Sequence, residues 1–285
     1  MRIFIDTDCG VDDALALALL VQHPDVEVAG VTSTSGNTDA AQAARNARFV
    51  LRLMGDHTTV TAGPNPPQGF IGRTVHGRDG LGGQGPAGAP GPGDPEAASR
   101  EIRTFCENAE PESVLLCLGP LTNLAAAAPR RWPRIVAVGG AGILGEQGSG
   151  RDPNSAADRA ATQWVIDNLQ VDWVTMNSGA EVWLAADDFR TPPVAGGFMR
   201  RIHEAYGWHC AERANRRQWS PSAYDALAAL AAMGGGVEGW TSVSPLLRGA
   251  AVWGAHGGAH RMLCCSSGRV NARVVSSAVR RARLP

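Results

Sequence analysis

Arg2-Ile3-Phe4-Ile5-Asp6-Thr7-Asp8-Cys9-Gly10-Val11-Asp12-Asp13-Ala14 opens the chain and decides its architecture. The unbroken apolar run Ile3-Phe4-Ile5 suits a strand covered on both faces, because a half-exposed strand would alternate. From Val11 to Gln22 the apolar stretch is too long for a strand and reads as a buried helix. Asp6, Asp8, Asp12 and Asp13 sit at the join of strand and helix. Open α/β sheets hold their ligands at this edge, outside the carboxyl ends of the strands.

Four carboxylates within eight residues repel one another unless a cation relieves the repulsion. Asp12 and Asp13 could serve only as helix N-caps, which the helix dipole favours, but capping accounts for one or two aspartates and not four. Oxygen ligands without a nearby Cys or His cluster point to a hard cation, Ca²⁺ or Mg²⁺.

Outward from this unit the pattern repeats. Residues 26–34 read as a strand and 39–54 as a helix, then 58–62 as a short strand. A long Gly- and Pro-rich loop covers 63–95, a helix 95–108, a strand 113–118 and a helix 121–128. Residues 134–138 read as a strand ending in Gly139-Gly140, with a second glycine-rich loop to about Pro153. Residues 155–168 read as one helix and 171–176 as a strand. Strands alternating with helices predict a mainly parallel central sheet flanked by helices. The last third is less regular, with helices expected at 193–216 and 221–233 and short strands near 249–253, 260–265 and 269–275. No repeat and no linker composition divides the 285 residues, so one α/β domain over 1–285 is expected.

Composition narrows the function. Net charge is −1 with both signs dispersed, which argues against a nucleic-acid or anionic-membrane surface. All 26 basic residues are arginine, so no mechanism can use a lysine. Cys9, Cys106, Cys117, Cys210, Cys264 and Cys265 form no CxxC pair and no zinc spacing. Aspartates interrupt any N-terminal signal segment, and no apolar run spans a bilayer. A cytoplasmic protein is the expectation.

Phosphatases of the haloacid dehalogenase type also open with a strand ending in two aspartates one residue apart, with Mg²⁺ and an aspartyl-phosphate intermediate. They usually use a downstream lysine, which this chain lacks.

Asp6-Thr7-Asp8-x-Gly10-x-Asp12-Asp13-Ala14 resembles the signature of the inosine–uridine-preferring nucleoside hydrolase family. Further similar blocks follow in that family's order: Gly36-Asn37, Ala43 to Ala47, Val75-His76-Gly77-Arg78-Asp79-Gly80-Leu81-Gly82, Leu118 to Ala125, Tyr224-Asp225-Ala226-Leu227 and Val270 to Val274. The resemblance implies hydrolysis of the N-glycosidic bond of a ribonucleoside to ribose and free base. It implies Asp8, Asp13, Asp225 and the Leu118 carbonyl as Ca²⁺ ligands, with Asp8 also the general base. Asp12, Asn37 and Asn154 would bind ribose or order the water. His76, in a loop whose family counterpart covers the substrate, is a site candidate, while Arg78 and Asp79 read equally as solvated loop charges. A homodimer or homotetramer is the family's common assembly. The alternative is a nucleoside- or ribose-binding protein on the same scaffold with little turnover.

Several positions depart from the family pattern. Cys9 stands where proline is common, as a neutral small residue or as a thiol activated at a helix N-terminus. Tyr224 replaces a histidine that helps the base leave; it could stack on the base or donate a proton less readily, which leans toward a purine-like base. Val138 replaces a methionine, Glu146 an asparagine and Asp152 a glutamate, so Glu146 and Asp152 would face the ribose and admit a modified sugar. Trp208, His209, Glu212, Trp219 and Tyr224 could line the base side, or the tryptophans could simply pack the helical region.

Overall fold

The computed structural model describes residues 1–65, 75–88, 94–146, 150–189, 197–213, 221–264 and 268–284. The opening segment forms strand β1 (Arg2–Thr7) and helix α1 (Val11–Gln22), with the bounds the sequence predicts. β2 (Glu27–Ser33), α2 (Ala40–Leu53) and β3 (Val60–Ala62) follow, then α3 (Pro95–Glu107), β4 (Val114–Cys117), α4 (Thr122–Ala127) and β5 (Arg134–Val138). These elements match their predicted positions to within about two residues. Asp39 caps α2 through Gln42 N, and Asp94 caps α3 through Glu96 N and Ala97 N with Pro95 in the first turn.

The chain continues through β6 (Gly142–Ile143), α5 (Pro153–Ala157), α6 (Arg159–Asn168), β7 (Asp172–Val174), α7 (Met176–Gly179), a 3₁₀ turn (Ala186–Phe189), α8 (Phe198–Arg213) and α9 (Tyr224–Ala232). It ends with β8 (Trp240–Arg248), β9 (Ala251–His256), β10 (His260–Leu263) and α10 (Gly268–Arg281). The single helix expected over 155–168 is two. Asp158 leaves helical geometry at φ −144°, accepts from Ala161 N to start α6, and accepts from Thr122 Oγ1 at 2.8 Å.

Two expectations in the last third fail. The strand expected at 269–275 is the helix α10, whose Asn271, Val275 and Val279 are buried at helical spacing. Its short valine pattern mimics alternation when read over seven residues. Residues 240–248, not expected as a strand, form β8, which pairs antiparallel with β9 and β10.

Among the described residues the strands form one sheet in the order β3-β2-β1-β4-β5-β7-β10-β8-β9-β6, making a single α/β domain. From β3 to β10 neighbouring strands are parallel, so their carboxyl ends share one edge. The sheet is parallel because helices connect the strands, and those helices bury it.

α1 is buried from Val11 to Leu20. It packs against α2, α8 and α9, which explains why its apolar residues run all round instead of along one stripe. Loss of a fully buried leucine such as Leu17 costs about 2–5 kcal/mol in a helix packed this way. The rigidity matters for function, because α1 carries Asp12 and Asp13 in its first turn.

Candidate active site

The turn from β1 into α1 is fixed by its own side chains. Thr7 Oγ1 accepts from Cys9 N at 3.0 Å and donates to Asp13 Oδ1 at 2.5 Å. Gly10 N donates to Asp13 Oδ2 at 2.8 Å. Asp13 therefore does cap α1, while remaining part of the acidic group. Cys9 sits at φ +33°, an uncommon conformation for a residue with a Cβ. Asn46 Nδ2 holds its carbonyl at 3.1 Å. Cys9 is fully buried, and burial, then the carboxylates of Asp13, Asp8, Asp225 and Asp12, push its thiol up, which favours the neutral small residue over the activated thiol.

Asn37, in the loop after β2, holds Asp8. Asn37 donates from its backbone N to Asp8 Oδ2 at 2.8 Å and from Nδ2 to Asp8 Oδ1 at 3.1 Å. The same Nδ2 lies 3.2 Å from Asp13 Oδ2 and so links the two carboxylates. Asp6, inside β1, is bound within the fold, where Thr32 Oγ1 and Asn123 Nδ2 donate to it at 2.7 and 2.8 Å. Burial raises the Asp6 carboxyl to about 7 despite those bonds.

Asp225 arrives from the other end of the chain, in the first turn of α9. One carboxylate oxygen from each of Asp12, Asp13 and Asp225 lies within 4.8 Å of the others, and all three residues are buried. Asp12, expected at the ribose, thus joins the cluster itself. Burial and the neighbouring Asp13 raise Asp12 to about 8. Burial, then Asp12, Asp13 and Asp8, raise Asp225 well above the ordinary carboxylate range. Asp12 Oδ1 has no hydrogen-bond partner among the described residues. Converging, buried and only partly satisfied carboxylates fit a divalent cation, which would displace their protons.

The glycine-rich loop closes over this corner. The carboxylate of Asp79 accepts from Leu81 N, Gly83 N and Gly85 N, so it is the staple of the loop and not a solvated charge. His76, three residues earlier, is 7% exposed. Its Nδ1 lies 3.7 Å from Asp12 Oδ1 and 3.2 Å from Val11 N. The second contact is within hydrogen-bond reach and the first is not, so Nδ1 acts as acceptor and the neutral ring carries its proton on Nε2. The ring stacks on Tyr206 with centroids 4.6 Å apart.

On the β4–β5 side, Asn154 Nδ2 donates to the carbonyls of Leu118 and Val138, each at 2.9 Å. The Leu118 oxygen keeps a second lone pair for another partner. Glu146 and Asp152, expected to face the ribose, are not among the residues that line the cavity. Asp152 is turned into the fold, where it accepts from Gly140 N, Val252 N, Ser155 N and Ser155 Oγ, caps α5 and ties the loop to β9. Glu146 accepts from Ile143 N at 3.0 Å.

A cavity of about 770 Å³ gathers the remaining residues. Asp8, Asp12, Asn37, Leu118, Asn154 and Asp225 line it together with His76, Tyr206, His209 and Tyr224. Trp208 is half exposed and Glu212 is exposed, and neither lines the cavity; Trp219 lies outside the described residues. Sequence reading missed Tyr206 and Trp183, which line the wall. Tyr206 was in principle legible, since Tyr206, His209 and Cys210 fall on one helical face. Trp183 stands in an irregular segment with no such signal.

Fold and site together define an α/β protein that can hold a divalent cation beside a cavity suited to a small polar ligand. The family model described as inosine-uridine preferring nucleoside hydrolase matches residues 3–282, and the chain belongs to that family. Uridine nucleosidase 1 of Arabidopsis thaliana is 31% identical over 66% of this chain and 60% of its own length. The pyrimidine-specific ribonucleoside hydrolase RihA of Salmonella enteritidis is 33% identical over 59% of this chain and 57% of its own. The matched region therefore spans about three fifths of these relatives. Among solved structures, a plant nucleoside hydrolase superposes with a TM-score of 0.82 at 21% identity, covering 98% of this chain and 99% of that one. A purine-preferring ribonucleoside hydrolase from Gardnerella vaginalis gives 0.80 at 20%, covering 99% and 100%. Both show that the fold is shared.

Proposed function

We propose that the protein is a Ca²⁺-dependent N-ribohydrolase, cleaving a ribonucleoside to ribose and free base, with purine-like bases favoured. The observation that carries this reading is the meeting of Asp12, Asp13 and Asp225, from α1 and α9, beside a cavity with aromatic walls that Asp8, just after β1, also lines. Family membership supports it.

Asp8, Asp13, Asp225 and the Leu118 carbonyl would hold the cation, an all-oxygen set that suits Ca²⁺. When bound, it supplies Lewis acidity and positive charge at the ribose end of the cavity. Asp8, its two oxygens aimed by Asn37, takes the proton from the water that attacks C1′. Asp12, Asn37 and Asn154 bind and orient the ribose hydroxyls and the water. The transition state has oxocarbenium character, and the surrounding carboxylates stabilise its positive charge. His76 holds the entry of α1 and, through its stack on Tyr206, builds the base-side wall. Tyr224 stacks on the base. The Cβ of any residue at 179 other than glycine would lie 2.1 Å from the Tyr224 ring, so Gly179 makes room for that ring position.

The test is release of free base from inosine, guanosine and uridine, with calcium and with a chelator. Hydrolysis lost on chelation and restored by calcium is expected. Tight binding of one nucleoside with no base release from any would favour the binding-protein alternative.

A further inference from the structure

Breaking the C1′–N bond leaves its electron pair on a base nitrogen, and that nitrogen must gain a proton for the base to depart neutral. The described side chains on the aromatic side of the cavity that carry a transferable proton include His76, Tyr206, His209, Cys210 and Tyr224, the aliphatic hydroxyl of Ser222 being too weak an acid. His76 is held as the neutral imidazole, because its Nδ1 accepts from Val11 N, and a neutral imidazole N–H is a far weaker acid than an imidazolium. Burial, then Asp12, pushes the Tyr206 phenol well up, and burial likewise raises the Cys210 thiol. A phenol is by its chemistry a weaker proton donor at neutral pH than an imidazolium.

His209 differs from all of these. It shares with Tyr206 and Cys210 the face of α8 that lines the cavity, at spacings of three and four residues. Its Nε2 is buried and has no hydrogen-bond partner among the described residues. A buried ring nitrogen without a partner is costly and uncommon, and a ligand atom in the cavity is a means of satisfying it. Histidine is also the side chain whose ordinary pKa suits proton transfer near neutrality.

We propose that His209 is the catalytic acid of this site, giving its Nε2 proton to the departing base; this rests on the N-ribohydrolase reading above. The step balances without any further reactant. Water oxygen bonds to C1′ as the C1′–N bond breaks, one water proton goes to Asp8, and the His209 proton goes to the base nitrogen. The proton on Asp8 is released to solvent and an equivalent one returns to His209, so the sum is nucleoside plus water to ribose plus base.

The experiment compares inosine with p-nitrophenyl β-D-ribofuranoside, whose nitrophenolate departs without a proton. His209→Gln and His209→Asn are each checked for folding by thermal melting before assay. The expected result is a kcat for inosine reduced by about a hundredfold or more, with the nitrophenyl riboside changed less than about threefold in the same protein. Equal losses on both substrates in a folded variant, or an inosine rate unaffected in both variants, overturn the proposal while leaving the hydrolase reading intact. Failure of the unaltered protein to cleave either substrate overturns both.

Discussion

Asn37 grips both oxygens of Asp8, donating its backbone N–H to Oδ2 at 2.8 Å and its side-chain amide to Oδ1 at 3.1 Å. A carboxylate so held is restrained from rotating, so Asp8, as the proposed general base, is aimed before any substrate arrives. Gly36 completes the arrangement by absence of bulk, since a Cβ there would lie 1.9 Å from Asp8 Oδ2. Preorganisation of this kind is where catalytic groups gain most over the same groups in water.

Asp8→Asn should keep the fold and lower kcat by about a hundredfold to ten-thousandfold, the range for removal of a general base. Gly36→Ala should also reduce kcat, by displacing the same carboxylate without changing its chemistry. Steady-state kinetics beside thermal melts measure both, and near-normal turnover by Asp8→Asn would remove Asp8 from the base role.

Asp225 comes from α9, on a stretch of chain far from β1, so cation binding should link the two ends of the molecule. Calcium at a hundredfold above its Kd should stabilise the protein by about 2.7 kcal/mol through mass action. Asp225→Asn should abolish most of that gain. Titration calorimetry and melting with and without chelator provide the measurement, and a calcium-insensitive melting point in the unaltered protein would count against the site.

Tyr224 stacking predicts that inosine and guanosine are better substrates than uridine. Tyr224→Ala should cost purine nucleosides about tenfold in kcat/KM, on the scale of base–aromatic stacking. The parallel change Gly179→Ala crowds the ring and should act in the same direction. A uridine preference in the unaltered protein would show that stacking does not set specificity.

His203 should make stability depend on acid. Its Nδ1 donates to Met199 O at 2.8 Å, and burial lowers its pKa from 6.5 to about 4. The folded chain keeps the ring neutral while the unfolded chain takes up a proton below pH 6.5. Stability is therefore full above pH 6.5 and falls as the pH drops toward 4, by about 3 kcal/mol at most. Urea denaturation at pH 7.5 and 5.0 should show a smaller difference for His203→Phe than for the unaltered protein.

The sequence by itself determined the β1–α1 unit, the parallel order it begins, and the aspartates at its carboxyl edge, because strand burial, helix length and clustered charge are all local. It misread 269–275 as a strand and missed β8, since a few alternating residues do not distinguish the two periods over so short a span. Only the tertiary structure decided which carboxylates meet. Asp6 and Asp8 are two residues apart, a spacing that shares one face of a regular strand, but β1 ends at Thr7, so one serves Thr32 and Asn123 inside the fold while the other faces the cavity. Asp152 reads as a site residue in sequence and caps α5 in space. Asp12, Asp13 and Asp225 become one cluster only because α1 and α9 pack side by side, a contact set by the shape of buried apolar surfaces and carried by no motif.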